Sequence, residues 1–284
     1  MQGNEKFLRR VASYAHKHAL WREGERILAA VSGGPDSLAL LLALKLLAVK
    51  EKINIGCCCV NHHLRAAAGK EAEFVESVCR EWNIPFILKE VDVQSAVRNG
   101  GSIETAARDF RYKALREAAR GGRYAKIAVA HHGDDQAETV LYHLLRGSGV
   151  TGLSGMKPIN GDIIRPFLCV SKNEIKDFLK DFSYVPCHDE SNDVEDAVRN
   201  RIRLSLVPEL ISYNPRVTES LRRTADIFRE EDLFMEEKAD VFISSCVEHD
   251  NDKCVFFIAY FLALHIALQR RVIRKICCMV AGRI

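Results

Sequence analysis

The first cluster with chemistry in it is Ser32-Gly33-Gly34-Pro35-Asp36-Ser37, which ends an apolar run at Arg26–Ser32 and opens a helical pattern at Ser37–Val49. Its glycines permit positive φ and let backbone amides approach a ligand without Cβ interference. The helix start adds unpaired N–H groups and the positive end of a dipole, while Ser32 and Ser37 add hydroxyls, so the loop can cradle an anion. The Walker pattern requires Gly-Lys-Ser/Thr, and the loop has no lysine, which excludes that class. Asp36 would repel a pyrophosphate unless it holds a Mg²⁺ that bridges the two. The plain alternative is an acid near a helix N-terminus for dipole reasons, worth about 0.3–1 kcal/mol.

A second cluster is His131-His132-Gly133-Asp134-Asp135-Gln136-Ala137-Glu138-Thr139. Asp135 and Glu138 are three apart and share a helix face. A resident metal site is one rival, although the cluster lacks the His-x-x-x-His spacing that puts two imidazoles on one face; a capped, solvated helix start is another. In the third cluster, Ser102 to Tyr112, the helical period places Glu104, Arg108, Arg111 and Leu115 on one stripe and Ile103, Ala107, Phe110 and Ala114 on the core-facing one. Alone this is a surface helix with a Glu–Arg pair worth about 0.3–0.5 kcal/mol. Two arginines are also what a leaving pyrophosphate or an adenylated intermediate needs for charge stabilisation.

The elements that must position these groups are legible from apolar patterning. Strands are expected at Arg26–Ser32, Ile53–His62, Pro85–Val93 and Lys126–His132, with helical patterns after each at Ser37–Val49, Gly69–Trp82, Ser102–Arg120 and Asp135–Arg146. A β-α-β-α order with continuous apolar strands implies an α/β fold, a parallel sheet with helices on both faces. Ligands bind such sheets beyond the carboxyl ends of the strands, so the loops after the first and fourth strands should meet. Ile163–Leu168 is a further strand candidate, and Ser171 with Glu174 makes a capping-box helix start. Residues 1–214 are expected to form the catalytic domain, and 215–284 a helical linker and short C-terminal segment.

The net charge of +3 is too small to announce nucleic-acid binding, which must come from where the cations sit. Ten cysteines at this length are no disulfide framework, and Cys57, Cys58 and Cys59 lie in an apolar run; with no signal peptide, a reducing cytoplasm is expected. The apolar stretch Cys254–Leu268 is about 15 residues, short of the roughly 20 needed to span a bilayer, so a buried helix or strand is expected and no membrane partner.

The lysine-free loop looks like the pyrophosphate loop of enzymes that cleave ATP between the α- and β-phosphates, the fold called adenine nucleotide alpha hydrolase-like. With Val60 to Arg65, Glu104 to Tyr112, Ala130 to Thr139, Arg146-Gly147-Ser148 and Ile164-Arg165-Pro166, the chain resembles the tRNA(Ile)-lysidine synthetase family. More specific are His188-Asp189-Glu190-Ser191-Asn192, Arg199-Asn200-Arg201-Ile202-Arg203 and Ala267 to Arg271. The resemblance implies that ATP adenylates O2 of the first anticodon cytidine of a CAU-reading isoleucine tRNA, releasing pyrophosphate. The amine of free L-lysine then attacks C2 and expels AMP. It implies phosphate binding by Ser32–Ser37 with Asp36 on Mg²⁺, charge stabilisation by Arg108 and Arg111, and lysine held by Asp135 and Glu138. His131 or His132 would face the reacting centre, and Asp189, Asn192, Arg199, Asn200 and Arg203 the tRNA. A homodimer is compatible with it.

Lysine's ε-amine has an unperturbed pKa of about 10.4, so far less than 1% is neutral at pH 7. Either Asp135 or Glu138 accepts the proton, or they grip the α-ammonium and leave the ε end in a drier pocket; the sequence leaves both open. Arg216, Arg222 and Arg223 continue the basic pattern, and Arg270, Arg271, Arg274 and Lys275 form another basic cluster of weaker meaning. Many members of the family carry further C-terminal domains that grip the tRNA, whereas this chain ends soon after Arg271, in Cys277-Cys278-Met279-Val280. A tRNA thiolation enzyme with the same loop is the nearest rival, but those usually need a Cys-x-x-Cys pair, and none occurs here. A non-catalytic nucleotide- or RNA-binding module would leave Asp36 and Arg108 without a task.

Overall fold

The computed structural model describes residues 2–61, 68–91, 103–182, 197–250 and 253–281. The chain divides into two compact units, residues 1–142 with 156–222, and residues 143–155 with 223–284. The boundary expected at 214/215 rests on a change of sequence character, whereas packing divides the chain after 222 and groups 143–155 with the C-terminal residues.

The first unit opens with α1 (Gln2–Lys17), whose apolar residues Phe7, Val11, Ala12 and Ala15 are buried. Strand β1 (Arg26–Ala30) follows, then α2 (Pro35–Glu51), β2 (Asn54–Asn61), α3 (Ala68–Glu81), β3 (Phe86–Glu90), α4 (Ile103–Gly121), β4 (Lys126–Ala128) and α5 (Gly133–Leu145). The short strands β5 (Ile159–Asn160) and β6 (Ile163–Ile164) come next, then α6 (Lys172–Lys180). The sheet order is β3-β2-β1-β4-β6-β5, parallel throughout except for the β5–β6 hairpin. The chain steps one way from β1 to β2 and the other way to β4, so the crevice at the carboxyl ends of β1 and β4 is the switch point where such sheets bind ligands.

Burial explains the strand composition. Ile27, Leu28, Ala29, Cys57, Cys58 and Cys59 are all buried, which fits strands covered on both faces. Desolvation pushes the Cys58 and Cys59 thiols up to about 12, so they behave as small apolar groups. Helix α2 is apolar almost all round and is buried from Ser37 to Leu44 and again at Leu47. Phe7 of α1 stacks on Phe178 of α6, with centroids 4.4 Å apart. The Ser171 hydroxyl accepts from the Glu174 N–H, which completes the expected capping box.

Three expectations change. The candidate strand Ile163–Leu168 is extended only at Ile163–Ile164, because Pro166 starts a 3₁₀ turn at Pro166–Cys169. Leu115, placed by its period with the charged stripe of α4, is 1% exposed and packs with Leu28 and Ile127 against the sheet. Cys254–Leu268 is neither buried nor one element: Phe257 is 76% exposed and Leu262 64%. The stretch is split among a strand, a helical turn at Ile258–Leu262 and the start of a further helix, and only Cys254, Phe256, Phe261 and Leu264 of it pack, partly buried, on the core around Phe242. Among the described residues no helix is long and apolar enough to cross a membrane.

After α6 the first unit continues with α7 (Ala197–Arg201), a π-helical turn at Ile202–Leu206 and α8 (Val207–Tyr213). Pro208 has no N–H to donate and sits in the first turn of α8, a local reason for the wider turn before it. Helix α9 (Val217–Cys246) runs into the second unit, which also holds the hairpin of β7 (Val247–Asp250) and β8 (Lys253–Phe256), then α10 (Ile266–Val280). The core of the second unit is Ala239, Phe242, Val272 and Ile276.

Candidate functional site

The loop after β1 is shaped by its own residues. Gly33 sits at φ +89°, which an L side chain rarely adopts, and Pro35 starts α2 with no N–H to lose. Ser37 donates its hydroxyl proton to the Gly34 carbonyl oxygen at 3.0 Å and accepts from the Ser32 N–H at 3.1 Å. Ser37 therefore braces the loop here rather than pointing a free donor outward. Asp36 lies in the first turn of α2, and its Oδ1 is buried without a hydrogen-bond partner. A buried carboxylate oxygen left unsatisfied is costly, and such groups concentrate where a ligand completes them.

The start of α5 faces this loop from the neighbouring strand. The His132 N–H donates to Asp135 Oδ2 at 2.9 Å, and the Asp135 N–H donates to His132 Nδ1 at 3.4 Å, a reciprocal cap with histidine in the usual Ser/Thr place. Gly133 is required by close approach, since a Cβ there would stand 2.9 Å from the Val170 carbonyl oxygen. His132 lies 3.7 Å from Asp36 through Nε2 and 3.4 Å from Asp135 through Nδ1, and so links the phosphate loop to the acidic helix start. Burial works against its protonation, but the charges of Asp135, Asp36 and Asp134 outweigh it and raise the imidazole above its ordinary value.

Asp135 and Glu138 share a face of α5, and Arg203 from the π-helical turn closes on both. Its Nε and Nη2 donate to the two Glu138 oxygens at 2.8 and 2.9 Å, and Nη2 reaches Asp135 Oδ1 at 3.4 Å. Desolvation of Glu138 prevails over Arg203 and leaves that carboxyl raised, whereas the His132 imidazole, the His132 N–H and Arg203 outweigh the burial of Asp135 and hold it low. Arg199 donates to Thr139 Oγ1 at 3.4 Å. Arg199 and Arg203, expected to face RNA, are thus turned onto α5 in this structure. Asn200 is half-buried beside them on α7, and Asp189 and Asn192 lie outside the described residues.

His131 points into a cationic surround. Burial, reinforced by Arg165, Arg108 and Arg199 against the pull of Asp135, lowers it to about 4, so it is neutral at pH 7. Its Nδ1 is buried and unpartnered. Arg108 and Arg111 are both exposed on α4, and Arg108 is the one that lines a cleft with Arg165. Arg165 went without a role in the sequence: it is 6% exposed, its Nη1 donates to the Lys157 carbonyl oxygen at 2.8 Å, and its Nε has no partner. Its signals in the sequence are its place in the Ile164-Arg165-Pro166 match and an arginine inside an apolar run, which is costly unless something needs it.

A lysine-free glycine loop beside an acidic helix start, at the switch point of a parallel sheet, defines an α/β nucleotide-binding domain of the pyrophosphate-loop class. Residues 4–210 match the model of that family, the PP-loop domain. The chain is 36% identical over 281 residues to the tRNA(Ile)-lysidine synthase of Caldanaerobacter subterraneus subsp. tengcongensis, covering 98% of this chain and 59% of that protein. It is 37% identical to the tRNA(Ile)-lysidine synthase of Petrotoga mobilis, covering 79% of this chain and 74% of that one. The fold is similar to that of the U34-tRNA thiolase NcsA from Methanococcus maripaludis, with TM-score 0.64, 17% identity and 80% of each chain covered. The chain belongs to the PP-loop ATP-binding family and, within it, to the tRNA(Ile)-lysidine synthases. It spans less than two thirds of the length of several of these relatives, 59% and 58% in two of them.

Proposed function

We propose that the chain ligates L-lysine to C2 of the first anticodon cytidine of the CAU-reading isoleucine tRNA, using ATP and releasing pyrophosphate and AMP. The observation that supports this most is the line from Asp36 through His132 to Asp135 and Glu138, which sets an amine-binding pair of carboxylates beside a phosphate loop. In this reading the amides of Gly33 and Gly34 and the hydroxyl of Ser32 hold the phosphates. Among the described residues no three His, Cys, Asp or Glu side chains gather as a metal cage. The orphaned Oδ1 of Asp36 nevertheless fits a Mg²⁺ that arrives with the nucleotide, since that ion needs only one or two carboxylates beside phosphate and water oxygens. Bound there, it would neutralise phosphate charge; Asp36 holds it, and Arg108, Arg111 and Arg165 balance the charge that develops when pyrophosphate leaves.

Asp135 and Glu138 bring two negative charges against the single guanidinium of Arg203, with Asp36 and Asp134 also facing His132, which leaves room for one ammonium. That balance suits one end of lysine. The raised Glu138 carboxyl is the better proton acceptor of the two, and His131, neutral at pH 7, adds no positive charge where a neutral amine must form. A cytoplasmic location and a homodimer belong to the same proposal, and sedimentation of the intact chain tests the latter.

The deciding experiment supplies labelled ATP, labelled lysine and the CAU-anticodon tRNA. AMP release matched by lysine in the RNA is expected. Incorporation of sulfur from a sulfur donor would overturn the reading in favour of a thiolase, and tRNA or nucleotide bound without turnover would leave only a binding module.

A further inference from the structure

We propose that the cleft along the outer face of α4 is a track for the RNA strand that leads into the reacting base; this rests on the RNA substrate argued above. The cleft holds about 470 Å³ and is lined by Arg108, Tyr112, Lys113, Arg116, Arg120 and Arg165, with Asp109 the one acid in its wall. The lining cations recur along the helix, and from Arg108 to Arg120 it rises about 18 Å. Its Arg165 end lies at the carboxyl end of β6, which pairs in parallel with β4, the strand that leads into His131. At its outer end Arg120 lies in the last turn of α4.

Three observations point to a phosphodiester chain rather than to a structural charge cluster. The cations outnumber the acids in the wall, and among the described residues Arg116 is the lining cation that meets a carboxylate in a pair, Asp162 at 3.1 Å. Arg165 is nine-tenths buried yet keeps an unpartnered Nε. Tyr112 lies beside two guanidiniums, with Arg108 and Arg116 at 5.6 and 5.9 Å from its ring centroid. An aromatic ring interleaved with arginines along an elongated basic groove is how single-stranded nucleic acid is gripped, by stacking and by phosphate contacts.

The test is a Lys113→Ala/Arg116→Ala/Arg120→Ala variant, which spares the groups assigned to the reaction. Binding of the CAU-anticodon tRNA is measured across a salt series, alongside ATP turnover and binding of inorganic pyrophosphate. Loss of three contacts to single-stranded phosphates should flatten the log–log salt dependence by about 2 and weaken tRNA binding roughly tenfold or more. The KM for ATP and kcat at saturating tRNA should stay the same, and a Lys113→Arg/Arg116→Lys/Arg120→Lys variant should restore the slope. An unchanged slope overturns the track, and so does a loss of pyrophosphate binding with tRNA binding intact. A wild-type chain that binds tRNA through these residues yet incorporates no lysine keeps the track and sinks the reaction.

Discussion

The outer face of α4 and the face of α10 are equally basic in sequence and opposite in structure. On α10, Arg271, Arg274 and Lys275 meet acids of α9: Arg271 pairs with Asp232 at 2.7 Å, Glu236 receives all three cations at 2.6 to 3.0 Å, and Asp240 takes Lys275. Thr151 adds a hydroxyl to Asp232 at 2.7 Å. Arg229 keeps one bare Nε there, but its two Nη atoms are bonded. On α4, Lys113 and Arg120 face a cleft with one acid, and the neighbouring crevice leaves Asp36 Oδ1 and His131 Nδ1 unsatisfied. Charges that satisfy one another hold helices together. Charges left over are held ready for something the chain does not contain.

That contrast breaks most sharply at Asp36. Asp36→Asn should lower AMP release at saturating ATP by about 10²-fold or more, because the carboxylate is assigned to hold the Mg²⁺ that would neutralise the phosphates. The melting temperature should change little, because the substitution relieves one orphaned carboxylate oxygen but also removes a charge that faces the His132 imidazole. The matching change in the second unit, Glu236→Gln, should do the reverse: about 1–2 kcal/mol of stability lost in urea unfolding, with the rate per folded molecule unchanged. An active Asp36→Asn enzyme would erase the distinction between the two regions.

A middle-sized effect separates them by pH. The folded-state pKa of His131 is depressed from 6.5 to about 4, so the unfolded chain binds more protons in that window and stability falls as pH drops through it. The full loss is about 3 kcal/mol, complete near pH 4 and absent above about pH 7. Urea unfolding of wild type and His131→Asn between pH 4 and 7 should show a shallower acid-side slope in the variant. The low-lying Asp135 adds its own loss only below this window, so it does not mask the difference. Equal slopes would mean that His131 is better solvated than its buried Nδ1 implies.

Much of the first unit was legible because its elements are locally consistent. β1, β2 and β4 are continuous apolar runs, Gly33 answers a positive φ, and Ser171 with Glu174 writes its own cap. What failed to show were relations between distant residues. Arg203 reads as one more basic residue on an RNA-facing helix, and only the π-helical turn before Pro208 reveals that it reaches Glu138. Leu115 was misplaced because the period of α4 was anchored on its charges rather than on its contact with the sheet. Cys254–Leu268 misled because an apolar run does not say whether anything will cover it.

The smallest effect sharpens the comparison from the paired side. Arg274 is 52% exposed and shares Glu236 with two better-buried cations, so its pair is screened and redundant. Arg274→Ala should change stability by no more than about 0.5 kcal/mol. It should also leave the salt slope of tRNA binding where it is, because its charge is already answered by Glu236 rather than waiting for a phosphate. Arg120→Ala, also exposed and in the last turn of its helix, should leave stability equally untouched but flatten the slope by about 0.7. Measured side by side, the two substitutions remove the same charge from two basic helix faces. Equal slopes would show that having or lacking an acidic partner does not decide which basic helix meets RNA.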